Sequence, residues 1–130
     1  MADKNLVRIE GDCLSTDTAQ TGGMHRAEAV SGKTVGAEAL WMGRTIVDPK
    51  TDSGVHHHGE SETSIYVVSG EPVFSFRDGD EVVDIATRPG DFVYVPPFTP
   101  HVESNPGDEP AVVVIARTTQ EAIAVNLDQL

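Results

Sequence analysis

The chain of 130 residues has a single cysteine, Cys13, so no intrachain disulfide can staple it and its stability must come from an apolar core. Basic residues are scarce. Nine Lys and Arg stand against 21 Asp and Glu, a net charge of −12, which speaks against a nucleic-acid backbone or an anionic membrane surface as partner. Long hydrophobic runs are absent: the longest suggestive one, residues 111–116, falls far short of the roughly 20 apolar residues a membrane helix needs. Aromatic residues make up only 5% of the chain, so most large rings are needed for packing. No segment holds a capped helical period. The N-terminal residues lack the basic-then-apolar run of a secretory signal, and with one cysteine the expected compartment is the reducing cytoplasm.

What is present is a series of short β-favouring runs, at residues 37–47, 55–58, 64–68, 73–77, 81–85, 91–95 and 111–117, separated by turn residues. Asp78-Gly79 sits between two such runs as a hairpin signal. Ser69-Gly70 and Pro89-Gly90 mark corners, and Pro96-Pro97 ends a strand by removing backbone donors. Residues 1–34 read as a polar, loop-rich arm with one possible edge strand near residues 6–9. Residues 35–118 read as the β domain, and residues 119–130 as a final strand, because Ile123, Val125 and Leu127 alternate at period two. Many short strands without intervening helices predict an all-β sandwich or barrel with antiparallel pairing.

The chemistry concentrates in Gly54-Val55-His56-His57-His58-Gly59-Glu60-Ser61-Glu62-Thr63. On an extended strand His56 and His58 share one face and His57 takes the other. Two converging imidazoles and a nearby carboxylate suit a first-row transition metal. Glu62 is the chosen acid and Glu60 its rival, since Gly59 permits a turn that would bring Glu62 beside His58. A fourth ligand must come from another strand, and His101 follows the stiff segment Pro96-Pro97-Phe98-Thr99-Pro100. His25 and His57 are read as solvent-exposed.

These residues resemble the two motifs of the cupin superfamily. The first is usually written G-x5-H-x-H-x3-4-E-x6-G. His56, His58, Glu62 and Gly70 match it, except that only one residue separates Gly54 from His56 and seven residues separate Glu62 from Gly70. Moving the acid position by one would restore that spacing and place Thr63 there. The second motif, G-x5-P-x-G-x2-H-x3-N, matches at Gly90, Pro96, His101 and Asn105, with Phe98 in place of the inner glycine. The resemblance covers roughly residues 35–118 of a small single-domain cupin. It implies a double-stranded β-helix, the cupin jelly-roll barrel, with one divalent transition metal ion (Fe, Mn, Ni, Cu or Zn) held by His56, His58, Glu62 and His101.

The expected partner is therefore a small oxygenated organic substrate, and the expected activity dioxygenase- or isomerase-type chemistry through a metal-bound enolate. A non-catalytic small-molecule-binding or sensing cupin with a structural metal is the alternative. Tyr66, Phe98 and Arg44 are the candidate substrate-binding residues. Arg117, also in a strand-like run, could meet a substrate carboxylate, although a rim salt bridge is the plainer role for either arginine. The polar arm, free to cover a neighbour's sheet edge, predicts a homodimer.

Overall fold

The computed structural model describes residues 5–130. Its strands are β1 (Met24–Val30), β2 (Trp41–Val47), β3 (Thr51–Asp52), β4 (His56–His57), β5 (Thr63–Ser69), β6 (Val73–Asp78), β7 (Glu81–Ala86), β8 (Phe92–Val95), β9 (Val102–Asn105), β10 (Ala111–Arg117) and β11 (Val125–Asn126). They form a five-stranded sheet in the order β1-β2-β10-β5-β8, a four-stranded sheet in the order β3-β9-β6-β7, and the pair β11-β4. Every pairing is antiparallel. The architecture is the all-β jelly roll expected, and no described helix is long and apolar enough to cross a membrane.

Alternation sets which face goes inward. Along β5, Thr63, Ile65 and Val67 are buried while Ser64, Tyr66 and Val68 are exposed. Ile65, Val67, Phe74, Val95 and Val113 form the main core cluster, with Val93 and Ile115 packed against it. Phe74 comes from the four-stranded sheet and the other members from the five-stranded one, so this cluster joins the two layers. Each such apolar side chain adds about 1.5–3 kcal/mol on burial. Toward the other end of β5 and β10 the inward positions turn polar, at Thr63 and Arg117, and the core gives way to a cavity.

Several turns follow directly from local chemistry. The β6–β7 hairpin closes at Asp78↔Glu81 around Gly79, whose φ is +63°. Gly70 has φ +80°, and a Cβ there would stand 2.8 Å from the Ala111 backbone. Asn105 is buried and donates to the carbonyls of Val47, Asp48 and Glu109 while accepting from the Gly107 amide, which fixes the β9–β10 turn. The one helix described, α1 (Gly32–Val35), is a single turn closed by a capping box between Ser31 and Thr34.

The arm differs from expectation. Residues 6–9 carry no strand, and the edge strand is β1, at Met24–Val30. It pairs with β2 as an integral member of the larger sheet. At the other end, only Val125–Asn126 of the expected final strand pairs, with β4.

Candidate metal centre

His56 lies on β4 and His58 immediately after it, on the face opposite His57, as strand alternation requires. His101 reaches them through the backbone. His56 and His101 exchange both main-chain hydrogen bonds, at 3.1 and 2.9 Å, so an isolated β-bridge registers one segment on the other. The turn before His101 is tied down as well, because the Phe98 amide donates to the Gly59 carbonyl. Phe98 has φ +58°, the left-handed region in which glycine is at ease. This is the position where the resembling pattern carries glycine, so the backbone shape is kept without the residue that favours it.

The three imidazoles converge. Ring centroids lie 4.8 Å (His56–His58), 4.5 Å (His56–His101) and 5.0 Å (His58–His101) apart, and one ring nitrogen from each lies within 4.8 Å of the others. Each Nδ1–H donates to a backbone carbonyl: His56 to Gly54 at 3.0 Å, His58 to Ile123 at 2.9 Å and His101 to Thr99 at 2.9 Å. A carbonyl only accepts, so each Nδ1 carries the proton and each Nε2 keeps its lone pair. Burial lowers the proton affinity of all three, His58 to about 4, although those carbonyl bonds pull the other way. The result is three neutral donors with locked tautomers and no proton between them, a set whose chemistry fits a divalent transition cation.

Glu62 does not join them. Its carbonyl accepts from the Thr118 amide and its own amide donates to the Thr118 hydroxyl, just beyond the end of the β5–β10 ladder. Because Thr63 beside it faces inward, Glu62 must face outward, where its carboxylate accepts a hydrogen bond from the Tyr94 hydroxyl. The cavity-facing residues on either side of Glu62 are Ser61 and Thr63. The turn at Gly59 exists, with φ +57°, but it does not carry Glu62 to His58.

The substrate-binding candidates also lie elsewhere. Tyr66 is on the outer face of β5 against Phe92, with ring centroids 4.8 Å apart. Arg44 is on the outer face of β2, where it donates to the Gly11 carbonyl. Phe98 is 64% exposed beside His57, outside the cavity lining. His25 is exposed and pairs with Asp48 at 3.1 Å.

The cavity itself measures about 160 Å³. Besides the triad its polar lining includes Thr63, Arg26, Arg117 and Glu103. Glu103 is two residues beyond His101 on β9, hence on the same face. It is 8% exposed, and its Oε1 has no hydrogen-bond partner among the described residues. Burial raises it to about 7, with the Arg26 charge acting in the opposite direction. Arg117 lies with its guanidinium carbon 3.9 Å over the Trp41 ring, and Trp41 in turn donates to the buried carboxylate of Glu28 at 2.9 Å. Sequence reasoning missed Arg26 and Glu103, although the period-two relation of Glu103 to His101 was a usable signal.

Residues 43–117 match the family described as Cupin domain. The chain belongs to the cupin family. No curated protein sequence matches this cupin. Among solved structures it is similar to Peruvianin-I, described as a cysteine peptidase from Thevetia peruviana latex, with a TM-score of 0.73 and 16% identity over 93% of this chain and 77% of that one. A recombinant oxalate oxidase in complex with glycolate gives 0.70 and 20%, covering 85% of this chain and 58% of that one. Oxalate decarboxylase from Bacillus subtilis, a protein with Mn(II) centres, gives 0.71 and 20%, covering 85% and 29% respectively. This cupin thus spans little more than half of the oxidase chain and under a third of the decarboxylase. At these identities the likeness is one of fold.

Proposed function

We propose that this cupin is a metal-dependent enzyme acting on a small oxygenated organic molecule, by dioxygenation or isomerisation. The observation that carries the reading is the convergence of His56, His58 and His101 with every Nδ1–H given to a backbone carbonyl. These three residues would hold one divalent transition ion. Such an ion, once bound, supplies a Lewis acid or a redox centre at neutral pH.

The chain's own residues supply the rest. The Gly54, Thr99 and Ile123 carbonyls hold the rings in orientation. Glu103 places a carboxyl oxygen without a partner among the described residues in the buried cavity, free to bond a bound molecule. Ile65, Ile115 and Ile123 line the cavity and limit the water in it.

The test is elemental analysis of the purified protein, then turnover assays on enols, catechols and β-dicarbonyls under air and under argon. Near-stoichiometric metal, lost in His101→Gln, together with metal-dependent product supports the reading, and oxygen uptake selects dioxygenation. Full metal content in His101→Gln would remove His101 from the site. Stoichiometric metal and tight ligand binding without any product would make the protein a binding or sensing cupin.

The cytoplasmic assignment and the homodimer belong to the same reading. The first is supported by the lone Cys13. The second is supported by the exposed rings of Tyr66, Phe92 and Tyr94 along the β5–β8 sheet edge, and light scattering measures it.

A further inference from the structure

The cavity holds two of the chain's nine basic side chains, Arg26 and Arg117, against one carboxyl, that of Glu103. Among the described residues neither arginine makes an ion pair within salt-bridge distance. Arg26 donates to the Thr21 hydroxyl at 2.8 Å. Arg117 spends Nε on the Thr119 carbonyl at 3.0 Å and Nη2 on the Gln120 carbonyl at 2.8 Å, which leaves Nη1 without an acceptor among the described residues. Removing a guanidinium from water without a directly paired carboxylate is costly, and a second guanidinium in the same cavity adds repulsion. Burial first and then the charge of Arg26 accordingly pull Arg117 down to about 10, against the smaller pull of Glu28.

The surroundings hold Arg117 in this unfavourable place. Trp41, Arg117 and Thr63 form one cross-strand row, paired Arg117↔Trp41 and Arg117↔Thr63 on adjacent strands. Trp41 lies under the guanidinium and is itself anchored by Glu28, which Ser31 also bonds at 2.6 Å. A stacked, hydrogen-bonded fork with an open edge is preorganised for a planar two-oxygen anion.

From this geometry we infer that the substrate is a small carboxylate whose anionic end is held by Arg117, with Arg26 reinforcing the charge and the remainder of the molecule facing the histidine triad. The inference rests on reading the cavity as a substrate site. Size narrows it further, because a cavity of about 160 Å³ compares with an engineered cavity of roughly 150 Å³ that accepts benzene. A molecule of about six non-hydrogen atoms is the natural upper range.

Trp41 is the only tryptophan and is 1% exposed beside Arg117, so its emission reports on the site without a label. Lactate and pyruvate are titrated against lactamide, pyruvamide and inorganic phosphate, using both the metal-loaded protein and the protein after chelation. The expected result is a saturable change in emission with the carboxylates and at least tenfold weaker binding of the amides. Arg117→Gln is expected to weaken carboxylate binding at least tenfold, and Arg117→Lys, which keeps the charge but not the fork, to lie between it and the parent. Should Arg117→Gln fail to fold by circular dichroism, Arg117→Lys and the amide comparison decide the matter. Equal binding of acids and amides, unchanged affinity in Arg117→Lys and Arg117→Gln, or phosphate binding as tightly as the carboxylates would overturn the inference. Metal uptake without acid–amide discrimination overturns it while leaving the metal reading standing. Discrimination in a protein that never takes up metal upholds it while the metal reading falls.

Discussion

Glu62 shows how much turns on one position in an alternating strand. A carboxylate one residue from the inward-facing Thr63 is directed away from the cavity, and the Tyr94 hydroxyl takes it up on the outside. Glu62→Gln is therefore expected to retain full metal content by elemental analysis, whereas His58→Gln loses it. A second readout is the Tyr94 hydroxyl, raised above its ordinary value first by the bond to Glu62. In Glu62→Gln its ultraviolet titration should shift down. The same scale governs acid stability of the metal-free protein. The three buried imidazoles take up protons less readily than in the unfolded chain, His58 falling from 6.5 to about 4. Their contribution is complete above 6.5 and is lost as pH falls through their lowered values, about 4 for His58. Glu103 acts in the opposite sense, since its raised value of about 7 favours the folded state fully below 4.5 and loses that advantage as pH rises through 7. Three groups outnumber one, so the urea midpoint of the chelated protein should be lower at pH 5 than at pH 7.5. Glu103→Gln should steepen the fall.

Among the elements, legibility depended on what each strand buries. β5, β6, β7 and β10 present apolar residues inward or end in marked turns, and the runs at 64–68, 73–77, 81–85 and 111–117 find them within a residue or two. β1 and β9 were not visible. β1 places Arg26 toward the cavity and buries both Ala27 and Glu28 next to a register shift between Glu28 and Val30, so neither the apolar count nor the period of two survives. β9 buries Glu103 and Asn105. The strands that defeat a hydrophobic reading are those whose inner faces serve the cavity or the turn beside it, where local rules give way to the site. The triad itself was legible, because His56 and His58 alternate on one strand face and His101 follows a stiff proline-rich segment. β11 provides a prediction at this scale. The tail lines the cavity at Ala122, Ile123, Ala124 and Asn126, and the Ile123 carbonyl orients His58. Truncation after Glu121 should weaken metal affinity by about 10- to 100-fold while the core strands persist, as read by metal titration and circular dichroism. Unchanged affinity would show that the tail does not position His58.

At the level of the whole molecule, charge is divided unevenly. A chain of net −12 encloses a cavity with an excess of arginine over carboxylate, so an anionic ligand approaches against the outer field and is attracted only inside. Raising ionic strength screens the exterior more than the buried interior. The outer surface also has its own apolar stripe at Tyr66, Phe92 and Tyr94, with Phe92 75% exposed. Phe92→Glu should reduce the mass measured by light scattering from two chains to one at micromolar concentration. A single-chain mass for the parent protein would contradict the dimer.

The hydrogen bond from His58 to Ile123 spans 65 residues of sequence. During synthesis His56 and His58 emerge well before the acceptor that orients one of them, so the nascent chain cannot present an ordered three-nitrogen cradle until β10 and the tail have left the ribosome. An ion held by these three nitrogens would therefore be captured only late in maturation, after the tail has folded onto His58.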